Sequence, residues 1–116
     1  GTIGGVPTVP SFGPLLVFGM GGVEVELVRD VAVRIQPLTD REARELVRSV
    51  RGYPLLEGYR GSPPGDVAAL EQTLLRLSQM VGEHPEIAEM DLNPLKVLPP
   101  GRGCLAVDAR VAVRRD

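Results

Sequence analysis

The sequence is poor in the features that staple, anchor or charge a small protein. Cys104 is the only cysteine, so no disulfide forms within the chain, and one thiol without histidine or cysteine neighbours is no metal motif. A reducing, cytoplasmic setting is the expectation. No long hydrophobic run is present. The longest, GPLLVFGMGGV, is too short and too rich in glycine to span a bilayer, and no signal peptide is visible. Nor is there a block of one charge sign: thirteen cations and fifteen anions interleave to a net −2, which leaves nucleic-acid binding without electrostatic support. The chain opens at GTIGG without a methionine. We expect it to be a fragment of a larger multidomain protein, whose other parts matter to its function.

What remains is ordinary globular material. At 116 residues the expectation is a single domain over 1–116, with a modest core. The 43% hydrophobic and 24% charged content are those of a soluble globular chain. Fourteen glycines and eleven prolines fall between the periodic segments and argue for many turns.

Residues 1–13 read as a loop-like entry. PLLVF (14–18) is a short buried strand, and GMGG (19–22) a turn or loop. Val23, Val25 and Leu27 then alternate with Glu24, Glu26 and Val28, as along a strand. Arg29–Asp30 marks a turn, and Val31–Gln36 a further strand. Thr39 with Glu42 fits a capping box for a helix whose apolar stripe is Ala43, Leu46, Val47 and Val50, stopped at Gly52. YPLLEGYRGSPP is a connecting loop. Asp66 caps a second helix with Leu70, Leu74, Leu77 and Val81 on one face, ending near Gly82 before His84–Pro85. Strands at about 88–98 and 103–113 close the chain. The order β-β-β-α-α-β-β predicts an α+β domain: a mostly antiparallel sheet packed by two helices.

The last two strands carry Asp91, Asn93 and Asp108 among apolar residues. With Pro99–Arg102 as the connecting loop, Leu98 faces Gly103, Asn93 faces Asp108 and Asp91 faces Arg110. Alternation then puts Asp91, Asn93, Asp108 and Arg110 on one face, and Leu105, Val107, Ala109, Val111 and Val113 on the other, toward the core. Directly opposed Cβ atoms lie about 5 Å apart, close enough for an amide oxygen and a carboxylate to converge on one hard cation. Mg²⁺ is usually held by one or two protein oxygens plus waters and phosphates. Asp91 is open to three readings: a further ligand, a residue that orients one, or the partner of Arg110. A solvated strand face with a cross-strand ion pair accounts for the same residues. GMGG, with Gly19, Gly21 and Gly22, offers backbone N–H groups to a phosphate, or forms a turn only. Arg34 pairs with phosphate or with a surface carboxylate.

The segments SFGPLLVFGMGGVEVE, DVAVRIQPLTDREA, RGYPLLEGYRG and EMDLNPLKVLP…LAVDARV, in this order and spacing, resemble the C-terminal ATP-grasp subdomain of NDP-forming acyl-CoA synthetases. That family includes the ADP-forming acetyl-CoA synthetases and is related to the succinyl-CoA synthetase β subunit. The resemblance runs from Phe12 to Val113. It implies that Asn93 and Asp108 coordinate Mg²⁺ beside the phosphates of ATP or ADP, with Asp91 as the acidic residue two before the asparagine. It departs at Val9, where relatives often carry aspartate. The implied reaction joins an acid and CoA with ATP, giving acyl-CoA, ADP and phosphate. The implied partners are the ATP-grasp N-terminal subdomain, a CoA-binding domain and a phosphohistidine. His84 matches no phosphohistidine motif, and because none of these partner parts is recognisable in the sequence the isolated chain is expected to be inactive. An alternative within the same resemblance is a regulatory, ligand-sensing module fused to a GNAT-type lysine acetyltransferase.

Overall fold

TIGGV combines β-branched residues with two adjacent glycines, a poor strand in isolation because glycine brings no side chain to pack. In the computed structural model of the protein, which describes residues 1–9, 13–21, 30–61 and 63–114, it is nevertheless a central strand. Thr2–Val6 (β1) is bonded on one side to Gly13–Met20 (β3) and on the other to Ile87–Val97 (β5), both antiparallel. Thr8–Val9 (β2) extends the β1–β3 ladder past Pro7 in the same register. The expected entry loop is thus replaced by a strand, because neighbours on both flanks satisfy its backbone and the glycines let them approach. Val31–Ile35 (β4) pairs with β3, Leu16 opposite Arg34 and Val17 opposite Val33. Cys104–Ala106 (β6) and Ala109–Val113 (β7) pair with successive stretches of β5. Among the described residues every pairing is antiparallel, and seven strands form one sheet. The residues proposed from sequence as a strand at Val23–Val28 lie outside those described.

Helix α1 (Asp40–Arg48) begins where expected. The Thr39 hydroxyl accepts from the Glu42 N–H at 3.1 Å, and the Glu42 carboxylate accepts from the Thr39 N–H at 3.2 Å. Ala43, Leu46, Val47 and Val50 are buried. The segment expected as a plain loop contains one helical turn, α2 (Tyr53–Leu56), with Pro54 in its first turn where a missing N–H costs nothing. The carboxylate of Asp30 receives the N–H groups of Arg51 and Gly52 just before it (2.6 and 2.7 Å). Helix α3 (Val67–Glu83) buries Leu70, Leu74, Leu77 and Val81. Asp66 caps it through the Ala69 N–H, at 3.1 Å. The same carboxylate accepts from the N–H groups of Gly101 and Gly103 (3.0 and 2.8 Å), which ties the β5–β6 turn to the head of α3.

Both long helices cover one face of the sheet. Gly4 lies against Leu74 and Leu77 of α3. Its partner Leu92 and the neighbouring Leu95, Met90, Leu16 and Phe18 are buried there. Fully burying one such side chain contributes about 1.5–3 kcal/mol, so this row orients the sheet, and no described helix covers its other face. The helices stop short of β6 and β7. Leu105, Val107, Val111 and Val113 were expected in the core but are each more than half exposed. Two apolar rows were read as one because alternation was carried through the break at residues 107–108, where β6 ends and β7 begins.

Candidate metal and phosphate site

The site is built on the β5 hairpin. Leu98 N–H donates to Gly103 O at 3.0 Å, and β5 pairs with β6 from Val97 opposite Cys104 to Leu95 opposite Ala106 and, past a break at residues 107–108, with β7, Leu92 opposite Ala109 and Asp91 opposite Arg110. In the middle, Asn93 N–H donates to the carbonyl of Asp108 at 3.1 Å. The backbones of the two residues therefore meet across the hairpin, at the break between β6 and β7, as the loop length requires. Buried Leu92 turns toward the helices, so exposed Asp91 and Asn93 turn to the helix-free face. Asp108 is on that side too, because its carboxylate lies 3.8 Å from Nε of Arg110, the cross-strand partner of Asp91. The three oxygen-bearing candidates share one face.

The arrangement suits a hard cation that brings its own ligands. Among the described residues no three of histidine, cysteine, aspartate and glutamate gather into a metal cage. Two opposed oxygen donors on a solvent-facing strand pair are what Mg²⁺ with waters and phosphates takes. Asp91 makes no ion pair among the described residues. Beside it, Ile3, Gly5, Val17, Asp91 and Arg110 line a groove of about 550 Å³. Asn93 and Asp108 lie past its end.

Gly5 is a residue that the sequence reading passed over. It pairs with Asp91, and a Cβ built there would stand 2.9 Å from the Met90 carbonyl and 3.7 Å from the Asp91 carboxylate. Only glycine leaves the floor of the groove open. The adjacent pair Gly4–Gly5 within a β-branched stretch was the available signal.

The other phosphate candidates separate from the metal pair. Gly19 lies in β3, where an added Cβ would stand 2.5 Å from a Val31 methyl, so its smallness serves strand packing. Gly21 gives its N–H to the Gly1 carbonyl at 2.7 Å and has none to offer a phosphate. Gly22 lies outside the described residues. Arg34 shares the helix side with buried Leu16, donates to the Val33 carbonyl at 2.9 Å, and lines a groove with Arg41, Arg44 and Arg48 of α1. It stands on the opposite face of the sheet from Asn93 and Asp108. Cys104 is half-buried against the core, and burial raises its thiol above the usual range, which favours the protonated form. His84 is exposed beside Glu86. No described helix is long and apolar enough to cross a membrane.

The fold has counterparts. The chain is 52% identical over 112 residues to an ADP-forming acetate–CoA ligase of Archaeoglobus fulgidus, covering 97% of this chain and 16% of that protein. It is 41% identical over 111 residues to the β subunit of an ADP-forming acetate–CoA ligase of Pyrococcus furiosus, covering 95% of this chain and 47% of that subunit. The chain thus spans about a sixth of the one and about half of the other. Among solved structures, an acetyl-coenzyme A synthetase of Ca. Korarchaeum cryptofilum, in complex with coenzyme A and Mg-AMPPCP, superposes with a TM-score of 0.90 at 44% identity. That match covers 97% of this chain and 52% of the other. PH1788 from Pyrococcus horikoshii superposes at 0.93 with 36% identity, over 99% of this chain and 48% of the other. Residues 2–113 match the ATP-grasp domain family, and the chain belongs to that family.

Proposed function

We propose that this chain is the metal- and phosphate-holding part of an ATP-grasp unit in an ADP-forming acyl-CoA synthetase, which converts an acid, CoA and ATP to acyl-CoA, ADP and phosphate. The observation that carries the reading is the meeting of Asn93 and Asp108 across the hairpin, on the face that no described helix covers. The similarity to acetate–CoA ligases, and to a synthetase solved with Mg-AMPPCP, supports it. When bound, Mg²⁺ supplies neutralisation of charge on the phosphoryl group being moved. The Asn93 amide oxygen and the Asp108 carboxylate would hold it. Asp91, beside the pair, would accept from a metal-bound water or complete the set. Gly5 keeps space for the nucleotide against the sheet, and Ile3 and Val17 exclude water there.

The remaining groups that such a reaction needs would come from the other ATP-grasp subdomain and a CoA-binding domain, as partner domains or subunits. The relatives named above are longer than this chain, which favours that division. A cytoplasmic setting goes with the same reading. The acetyltransferase reading draws no support from the relatives named above.

Titration of Mn²⁺ with ADP tests the proposal. Asp108→Ala is expected to weaken metal-dependent ADP binding by at least about tenfold, in line with losses seen when metal-site groups are removed. Superimposable curves for Asp108→Ala and the parent chain would refute the assignment. A coupled assay of this chain alone is expected to show no acyl-CoA formation.

A further inference from the structure

We propose that Arg110 is an exchangeable counter-ion of the metal site: it neutralises Asp108 while the cation is absent and moves to a phosphate oxygen when metal and nucleotide arrive. This rests on the assignment of Asp108 as a ligand. Arg110 is a cation set beside the acids of this face. Its Nε lies 3.8 Å from the Asp108 carboxylate, and it stands directly opposite Asp91. It lines the same groove as Glu89 and Asp91. Glu89, Asp91 and Asp108 put negative charge on this face, and the guanidinium beside Asp108 offsets it.

Three features make the pairing exchangeable. The 3.8 Å separation is beyond hydrogen-bond distance, so no directional bond must break. Both side chains are well exposed, 81% for Arg110 and 59% for Asp108, and exposed ion pairs of this kind contribute little. The guanidinium also presents five donors in a planar fork that matches phosphate oxygens as well as carboxylate. A cation arriving at Asp108 displaces Arg110 by like-charge repulsion, and the nucleotide phosphates arriving with it provide the new partner. The metal site is thereby tuned against free cation and toward cation bound to nucleotide.

The test measures two affinities on each variant of this chain: Mn²⁺ alone, by electron paramagnetic resonance of the free ion, and ADP at saturating Mn²⁺, by calorimetry. Arg110→Ala is expected to bind Mn²⁺ alone about two- to fivefold more tightly and ADP with Mn²⁺ about tenfold more weakly. Arg110→Lys, which keeps the charge and loses the fork, is expected to restore the parent's Mn²⁺ affinity and part of its ADP affinity. A role in folding alone would move both affinities in the same direction. Parallel changes in Arg110→Ala, or none, would overturn the proposal. Asp108→Ala is the separating control. If it leaves Mn²⁺ binding intact, the ligand assignment itself fails. If it abolishes Mn²⁺ binding while Arg110→Ala shows parallel changes, only the counter-ion proposal falls.

Discussion

Single residues in this chain do their work through a few atoms. Asp66 holds three backbone N–H groups, from Gly103, Ala69 and Gly101, and these bonds lower its carboxyl below the ordinary carboxylate range. The sign follows directly. The folded form favours the charged carboxylate more than the unfolded chain does. The contribution is therefore whole above the unfolded value near about 3.9 and is lost as pH falls through the folded value. Asp66→Asn is expected to melt at a lower temperature than the parent at neutral pH. The gap should narrow below about pH 4 and close in stronger acid. A gap that stays constant on acidification would assign the loss to shape and not to charge. Gly5 acts by having no side chain. Gly5→Val places a Cβ 2.9 Å from the Met90 carbonyl, a backbone atom that cannot swing aside. The expected cost is about 1–3 kcal/mol by urea denaturation, typical of overpacking.

Elements are where sequence and structure agree best, and the reasons differ from one element to the next. Helix α1 was legible because its signals are local: a capping box and an apolar stripe lie within one short window, although the helix ends at Arg48, before the glycine expected to stop it. Thr39→Ala is expected to cost about 1 kcal/mol of stability, measured by the urea midpoint, since it removes one half of that box. The hairpin of β5 with β6 and β7 was legible for the same reason, because a short loop fixes which residues oppose each other. The pairing of Asn93 with Asp108 followed from that alone. Strand β1 was illegible because its signal is not local. TIGGV becomes a strand only once β3 and β5 flank it, and β5 lies some ninety residues away in sequence. The placement of Arg34 illustrates the same limit. Alternation along a strand puts it on one face with Ala32, but which face the helices cover is decided by Leu74 and Leu77 meeting Gly4. Leu74→Ala at that contact is expected to cost about 2–5 kcal/mol, because the cavity it leaves is walled by strands and a helix that cannot collapse inward.

At the scale of the whole molecule, the helices cover one face of a sheet wider than they are. Leu105, Val107, Val111 and Val113 are left in water, and apolar surface of this kind binds hydrophobic probes. The folded chain is expected to enhance the fluorescence of the dye ANS. Val111→Lys with Val113→Lys should reduce that signal while leaving the urea midpoint nearly unchanged, since both sites are already solvated. An unaltered signal would place the dye elsewhere. The two proposed ligands also sit on unequal supports. Asn93 belongs to a strand bonded along both edges, whereas Asp108 lies at the break in the outer arm, where β7 pairs, among the described residues, only with β5. Amides of Ala109–Val113 should accordingly trade hydrogen for deuterium sooner than those of Ile87–Val97. The grip on a cation is set by how often the outer arm peels, and a cation bridging the two arms would act as a rivet that slows the peeling.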